Sequence, residues 1–304
     1  MDNKDRSYAI VSDSSCDLPR DMAEKLGVTV VPFYVSFDSK HYMREGVDVA
    51  VRDFYDMMVD NPGVYPKSST PTVEDYRSAF ESILKDGKDI ICICITEKFS
   101  GSGQTAKIAA NIALSNYPDR RITVIDSTVL TVAQGAYIMN AAELCAQGVP
   151  YDNAVALLEK NKSTGRIFFT IGSIDYLRNG GRIGRLAGIA GTMLGIKPLI
   201  THKEGEIHNS GLARGRKNSI DKTIDLFLNY IRDTGIDLKQ YRLIVGYGYD
   251  YDEAVAFRDK LIIAIKDAVN VFVGHVPIMQ IGATVSVHTG PYALGVGIME
   301  KTTL

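Results

Sequence analysis

The stretch from Asp89 to Ile95 constrains this chain more than any other: after the aspartate it reads Ile-Ile-Cys-Ile-Cys-Ile, with no strongly polar side chain. It is too short for a buried helix and too uniformly apolar for a strand with one wet face. It suits a strand covered on both sides, as in the middle of a parallel sheet.

Parallel strands need crossovers, and the flanking sequence supplies them. Tyr8 to Ser12 is a short apolar run, broken by the turn and cap residues Asp13-Ser14-Ser15-Cys16-Asp17-Leu18-Pro19. Met22 to Leu26 reads as helix and Val28 to Phe37 as strand. A helix is expected around Val51 to Val59, ended by Pro62 and Gly63. Another spans Val73 to Lys85 behind Thr72, an N-cap candidate; Asp75 stands where a glutamate or glutamine would complete a capping box, so the box is expected to be approximate. Ser100 opens a helix to about Ser115, Ile122 to Ile125 is a strand, and Val129 to Gln147 is a helix with Gly148 and Pro150 as stop signals. This order predicts a parallel sheet with helices on both faces.

From about Ser163 the pattern changes. Arg166 to Ile171 reads as strand, and Ile174 to Arg178 as a short helix stopped by Asn179-Gly180-Gly181. Lys197 to His202 and Glu206 to His208, either side of Glu204-Gly205, predict a hairpin. Arg216 to Asp233 and Asp252 to Lys266 read as helices; Arg242 to Gly246, Val271 to Gly274 and Leu294 to Met299 read as strands. The expectation is an α/β protein of two domains, residues 1–163 carrying the parallel sheet and residues 164–304 forming an α+β unit. A chain of 304 residues is comfortable for two domains.

Composition excludes some partners. A net charge of -2 gives no global field to draw in nucleic acid or an anionic membrane. No apolar run is long enough to span a bilayer. The polar start, Met1 to Ser7, leads straight into a strand-like run and argues against a cleaved signal. Cys92 and Cys94 share one face of the buried strand, and neither they nor Cys16 and Cys145 complete a metal-ligand spacing. Reduced thiols, no metal and a cytoplasmic location are expected.

The chemistry lies in the loops, because ligands of open parallel sheets bind beyond the carboxyl ends of the strands. Four loops of the first half are rich in hydroxyls: Ser12 to Ser15, Ser68-Ser69-Thr70, Thr96 to Ser102, and Asp126-Ser127-Thr128. Singly, each reads as a turn or a cap. Together at one rim they make a polar mouth. The sharpest is Phe99-Ser100-Gly101-Ser102-Gly103, where a helix start offers free N–H groups and a positive dipole end to an anion, and the glycines allow close approach. Ser100, Gly101 and Ser102 thus form a candidate carboxylate or phosphate cradle.

Two other readings attach to these residues. Gly101-x-Gly103-x-x-Ala106 matches a dinucleotide fingerprint with Asp126 as the ribose acid, although Thr96 to Ser100 intervene where the turn should follow the strand directly. A hydrolase or acyltransferase would use Ser100 as nucleophile and His288 as base. Lys98 and Ser102 occupy the glycine positions of the nucleophile elbow that such an enzyme often carries. Arg182 sits at the corner made by Asn179-Gly180-Gly181, and Gly290-Pro291 forms a rigid turn behind His288. Leu186, Ile189, Met193, Leu194, Ile196 and Leu199 read either as plain core or as the wall of an alkyl tunnel.

Five segments together resemble the DegV family: Asp13 to Pro19, Ser68-Ser69-Thr70-Pro71-Thr72, Ser100-Gly101-Ser102 with its helix, Gly180-Gly181-Arg182-Ile183, and His288-Thr289-Gly290-Pro291. The resemblance implies a long-chain fatty acid bound between the domains. Its carboxylate would lie on the hydroxyls of Ser68 and Ser100, with Ser69, Gly101 and Ser102 in the same loops, Arg182 and His288 flanking the head group, and the acyl chain in an apolar tunnel. Ser68 and Ser102 stand where the family usually has threonine, and Thr96-Glu97 where a serine pair is common. The resemblance further implies a carrier without catalytic residues, with no cofactor beyond the bound fatty acid and at most transient membrane contact. It extends to a separate fatty acid kinase that phosphorylates the bound acid, with Arg214 as the docking residue and Arg216 close behind.

Overall fold

A computed structural model describes residues 7–185 and 195–302. In chain order its first half comprises β1 (Tyr8–Asp13), α1 (Arg20–Leu26), β2 (Val28–Val31), β3 (Tyr34–Ser36), β4 (Met43–Arg44), α2 (Val51–Asp60), β5 (Lys67–Ser69), α3 (Val73–Lys85), β6 (Asp89–Cys94), α4 (Ser102–Asn116), β7 (Ile122–Asp126), α5 (Thr131–Ala146) and α6 (Tyr151–Asn161). The rest comprises β8 (Arg166–Thr170), α7 (Asp175–Asn179), β9 (Ile196–Lys203), β10 (Glu206–Arg214), α8 (Arg216–Thr234), β11 (Tyr241–Tyr247), α9 (Tyr251–Val269), β12 (Ile278–Gln280), α10 (Ala283–Thr289) and β13 (Leu294–Glu300).

The expected α/β class is observed. A parallel sheet runs β2-β1-β6-β7, and every residue of β6 is buried, as its composition requires. Alternation splits β6 between two cores. Cys92 and Cys94 face α3 and α4 with Tyr76, Phe80 and Ala109, while Ile91 and Ile93 face α5. A second sheet runs β10-β9-β8-β13-β11-β12, antiparallel except for the β11–β12 edge. Helices α8 and α9 cover one of its faces.

Helix α5 joins the two sheets. Its residues Thr131 to Gly135 are all buried, and it shares one core with Ile10 and Ile91 of the parallel sheet and with Ile167, Ile244 and Met299 of the second. A helix buried on nearly every side belongs inside a molecule. Gly246 and Gly297 let it lie close to the second sheet; a Cβ on Gly297 would come within 2.7 Å of Val132.

Several expectations are corrected. Val28 to Phe37 is two strands: Pro32, with no N–H to give, separates β2 in the parallel sheet from β3 in a small β4-β3-β5 sheet. Val271 to Gly274 is irregular; Val271 and Val273 pack against the α8–α9 core without pairing, and the edge strand comes later, at β12. Pro150, read as a stop, also sits at the N-cap of α6, a helix not anticipated. The helix after β6 starts at Ser102, not Ser100. His288, read from sequence only by the turn behind it, lies inside helix α10. The Thr72 capping box is complete, since Asp75 Oδ2 accepts the Thr72 N–H at 2.7 Å while Thr72 Oγ1 accepts the Asp75 N–H at 3.1 Å. Among the described residues no helix is long and apolar enough to cross a membrane.

Candidate functional site

A cavity of about 190 Å³ opens beyond the carboxyl end of β6, with Ile95 and, past the end of β2, Phe33 in its wall. Its polar end draws on three elements. Ser68 and Ser69 come from β5 and its exit, Ser100 and Gly101 from the turn before α4, and His288 and Thr284 from α10. Arg182 closes the same end from the turn after α7. Six residues singled out from sequence therefore meet: Ser68, Ser69, Ser100, Gly101, Arg182 and His288. Phe169, Leu177, Ile207 and Val285 make the rest of the wall apolar.

Local chemistry explains the meeting. Gly180 lies so close to His288 that an added Cβ would fall 2.3 Å from Nδ1, and Gly181 takes φ of +73°. The glycine pair thus lets the backbone turn against the imidazole. Arg182 is held at the corner, its Nη1 donating to the Gly180 carbonyl at 2.6 Å and its Nη2 to the Phe99 carbonyl at 2.8 Å. These bonds tie the glycine turn to the loop that carries Ser100. His288 Nε2 lies 3.4 Å from Ser68 Oγ, and Nδ1 is buried without a hydrogen-bond partner. Burial, with Arg182 and Lys67 adding, pushes the imidazole down to about 3, so it is neutral near pH 7. The cavity end presents one guanidinium, a neutral imidazole and hydroxyls: donors for an anion.

Ser102 does not reach this cavity. As the first residue of α4 it turns inward, donates to Asp13 Oδ2 at 2.7 Å and pairs with the Tyr76 hydroxyl at 2.7 Å. Nor does the Thr96-Glu97 edge: the Thr96 hydroxyl donates to the Gly205 carbonyl, and Glu97 pairs with Lys107 at 2.6 Å. Arg214 is exposed at the end of β10 and lines no part of the cavity. Of the expected tunnel wall, Leu186, Ile189, Met193 and Leu194 lie outside the described residues, and Ile196 and Leu199 of β9 do not line the cavity.

Behind the mouth lies a buried polar brace that the sequence reading missed. Asp13 accepts from Ser15 Oγ (2.5 Å), Ser102 Oγ (2.7 Å), Gln134 Nε2 (2.9 Å) and the Ile95 N–H (3.0 Å), joining β1, the β6 exit, α4 and α5. Burial raises its carboxyl above the usual range, against the pull of these donors. Glu45, also buried and raised for the same reason, accepts from Ser14 Oγ, the Thr284 N–H and Thr284 Oγ1. It fixes the start of α10, the helix that ends at His288. Asp13 was visible only as a turn residue, and Glu45 carried no local signal at all.

A second, smaller slot lies against the wall of this cavity. Of about 40 Å³, it shares Leu130, Phe169, Ile207 and Val285 with the cavity and reaches Gly246 and Gly295 between α5 and the second sheet. The hydrolase geometry is not met. No carboxylate orients His288 among the described residues, its value near 3 suits no general base at neutral pH, and Ser100 Oγ accepts the Ser102 N–H at 3.2 Å. The dinucleotide turn does not follow its strand directly, because Ile95 to Gly101 separate β6 from α4. Asp126 Oδ1 is taken by the N–H groups of Glu97 and Thr128.

Fold and site define an α/β protein with a cavity mouth lined by hydroxyls, an imidazole and a guanidinium beside an apolar slot. The chain belongs to the DegV family: the family model described as "Uncharacterised protein, DegV family" matches residues 7–301. A DegV domain-containing protein of Caldanaerobacter subterraneus subsp. tengcongensis is 31% identical over 295 residues, covering 96% of this chain and 99% of that one. Among solved structures, a stearic-acid-binding protein from Eubacterium ventriosum is 38% identical, with a TM-score of 0.90 over 97% of this chain and 99% of its own. A DegV family protein from Thermus thermophilus, described for its fatty acid binding, is 27% identical, with a TM-score of 0.81 over 97% of this chain and 99% of its own.

Proposed function

We propose that this protein binds one long-chain fatty acid and carries it without chemistry of its own. The observation that carries the reading is the convergence of Ser68, Ser100, Arg182 and His288 on the polar end of a cavity whose other end is apolar. The carboxylate lies at the mouth. Arg182 supplies the charge, and the hydroxyls and the neutral imidazole supply donors, with no metal or general base needed. The acyl chain runs into the slot, where each buried CH₂ contributes about 0.8 kcal/mol. Both cavities are smaller than the roughly 300–1,000 Å³ usual for small-molecule sites, so a long chain occupies both and displaces wall side chains. The ligand thereby sits between the unit of residues 1–163 and that of residues 164–304.

The fatty-acid-binding descriptions of the two related structures support the ligand class. Presentation to a separate fatty acid kinase is the finer part of the proposal. A carboxylate at an open mouth is available to a second protein, and the exposed Arg214 offers a docking charge.

A displacement titration with stearic acid and with octadecanol tests the head-group reading. The acid should bind at least about tenfold more tightly than the alcohol, since charge-assisted bonds outweigh neutral ones; equal affinities would refute it. The kinase reading is tested by supplying ATP and a fatty acid kinase to the stearate-loaded protein. Acyl phosphate should form only with the kinase present, and Arg214→Glu should suppress it.

A further inference from the structure

We propose that the cleft between β11 and residues 271–277 takes an extended acidic segment of a partner protein as an added β-strand. The inference does not depend on the fatty-acid reading.

Pro277 opens this cleft. β12 pairs with β11 in parallel from Val245, which lies opposite Ile278, and the Val245 N–H donates to the Pro277 carbonyl at 2.9 Å. One ladder step earlier, the Leu243 C=O should accept from the N–H of residue 277, and proline has none. The ladder stops there. Residues 271–277 lie apart from Tyr241 to Ile244 of β11, and a cavity of about 440 Å³ separates the two. Alternation fixes which groups face it. On the far side of β11, the Lys301 N–H donates to the Gln240 carbonyl at 2.7 Å, so Arg242 and Ile244 also turn their backbone groups toward β13. Leu243 turns its N–H and C=O the other way, toward the cleft. Among the described residues neither group has a partner there, although Leu243 is buried. A buried backbone pair left unmatched is a standing cost.

The same groups type the occupant. A donor and an acceptor on one strand residue, both in the plane of the sheet, are matched together by another strand, which presents the complementary pair at ladder spacing. Its side chains would meet basic residues. Lys239, Arg242, His275 and Lys301 line the cleft, and among the described lining residues there is no carboxylate. Arg242 already bonds Glu143 and Asn140, which leaves Lys239, His275 and Lys301 for a partner. On a chain of net charge -2 this is a local departure, and it selects an acidic strand. Phe272, a lining residue that is 79% exposed, offers that strand an apolar contact at the rim. The cleft shares no lining residue with the mouth, so it is a separate site.

The test joins amide exchange by NMR to a peptide titration. In the free protein the Leu243 amide should exchange faster than those of Arg242 and Ile244, which are paired with β13. A synthetic probe of about eight residues, an ordinary strand length, alternates valine with glutamate. It should bind at least about tenfold more tightly than its valine–lysine counterpart and slow the Leu243 amide. N-methylation of alternate residues removes backbone donors and keeps the charge, so one of the two alternate sets should abolish binding. The Lys239→Glu, Lys301→Glu double variant should reverse the preference between the two probes. If that variant does not fold, the N-methyl comparison on the unaltered protein decides. A Leu243 amide as slow as its neighbours in the free protein would overturn the proposal, since the chain would then close its own cleft. So would a glutamate probe that fails to bind, binds no more tightly than the lysine probe, or tolerates N-methylation of both sets. Displacement of the probe by an equal concentration of inorganic phosphate would overturn it in favour of a small-anion site.

Discussion

The mouth of the cavity and the neighbouring slot are built in opposite ways. Donors at the mouth come from short loops and element ends: Ser68 and Ser69 at the end of β5, Ser100 before α4, Arg182 after a glycine pair, and His288 near the end of α10. The slot is walled by the interiors of regular elements, with Ile167 and Ile207 from strands and Val132 and Val285 from helices. Polar recognition uses loops that a rigid scaffold aims. Apolar accommodation uses faces already packed for stability. Each region carries one histidine driven down to about 3 by burial, with nearby cations adding to the shift in both.

If the mouth recognises charge, removing Arg182 should do the most damage. Arg182→Ala is expected to weaken stearate binding about 30- to 100-fold, in keeping with roughly 1.5–3 kcal/mol for a bond to a charged group, while octadecanol binding changes little. An equal loss for both ligands would mean that Arg182 acts only as a brace. The slot should respond to volume instead. Val285→Trp overfills it, so affinity should shift from 18-carbon toward shorter acids, measured as a chain-length profile. A uniform loss across all lengths would break the contrast between the two regions.

Gly180→Ala sharpens the contrast from the other side. Its Cβ would press on His288, so acid binding should fall several-fold and stability by about 1–3 kcal/mol, read from displacement and urea unfolding, with the chain-length profile unchanged. Smaller still are the hydroxyls. Ser68→Ala and Ser100→Ala should each weaken stearate binding about three- to tenfold, since each removes one hydroxyl bond to the carboxylate that a water can partly replace.

The histidines also set a pH dependence. Each is lowered from about 6.5 in the unfolded chain to about 3 when folded, so the unfolded state binds more protons in that window and stability falls as pH drops from about 6.5 toward 3. The buried carboxyls Asp13, Asp17 and Glu45 are raised and pull the other way: they contribute stability at low pH and lose it as pH rises through their folded values. Thermal melting between pH 7 and 4 should therefore show a shallower fall in His202→Phe than in the unaltered chain. Parallel profiles would show that His202 does not titrate on unfolding.

The same contrast decides what was legible in the sequence. The parallel sheet follows from the Ile90 to Ile95 run, and the mouth follows from short motifs, because a helix start, a glycine pair and a hydroxyl cluster are local features. The slot is not local. Ile167, Ile207, Val285 and Gly295 come from separate elements, and nothing near any one of them marks it as lining. Ser102 misled for a physical reason: neighbouring serines at a helix start point in different directions, so Ser100 faces the cavity and Ser102 the Asp13 brace. The two-strand break at Pro32 was readable from the missing N–H. The α10 helix was obscured by its β-branched composition, Thr284, Val285 and Val287, which favours strand.

The most direct test of the central claim is denaturing mass spectrometry of an organic extract of the purified protein, beside the Ser68→Ala, Ser100→Ala double variant. The account predicts one fatty acid per chain in the unaltered protein and clear depletion in the variant. No lipid in either, or a nucleotide in its place, would contradict it.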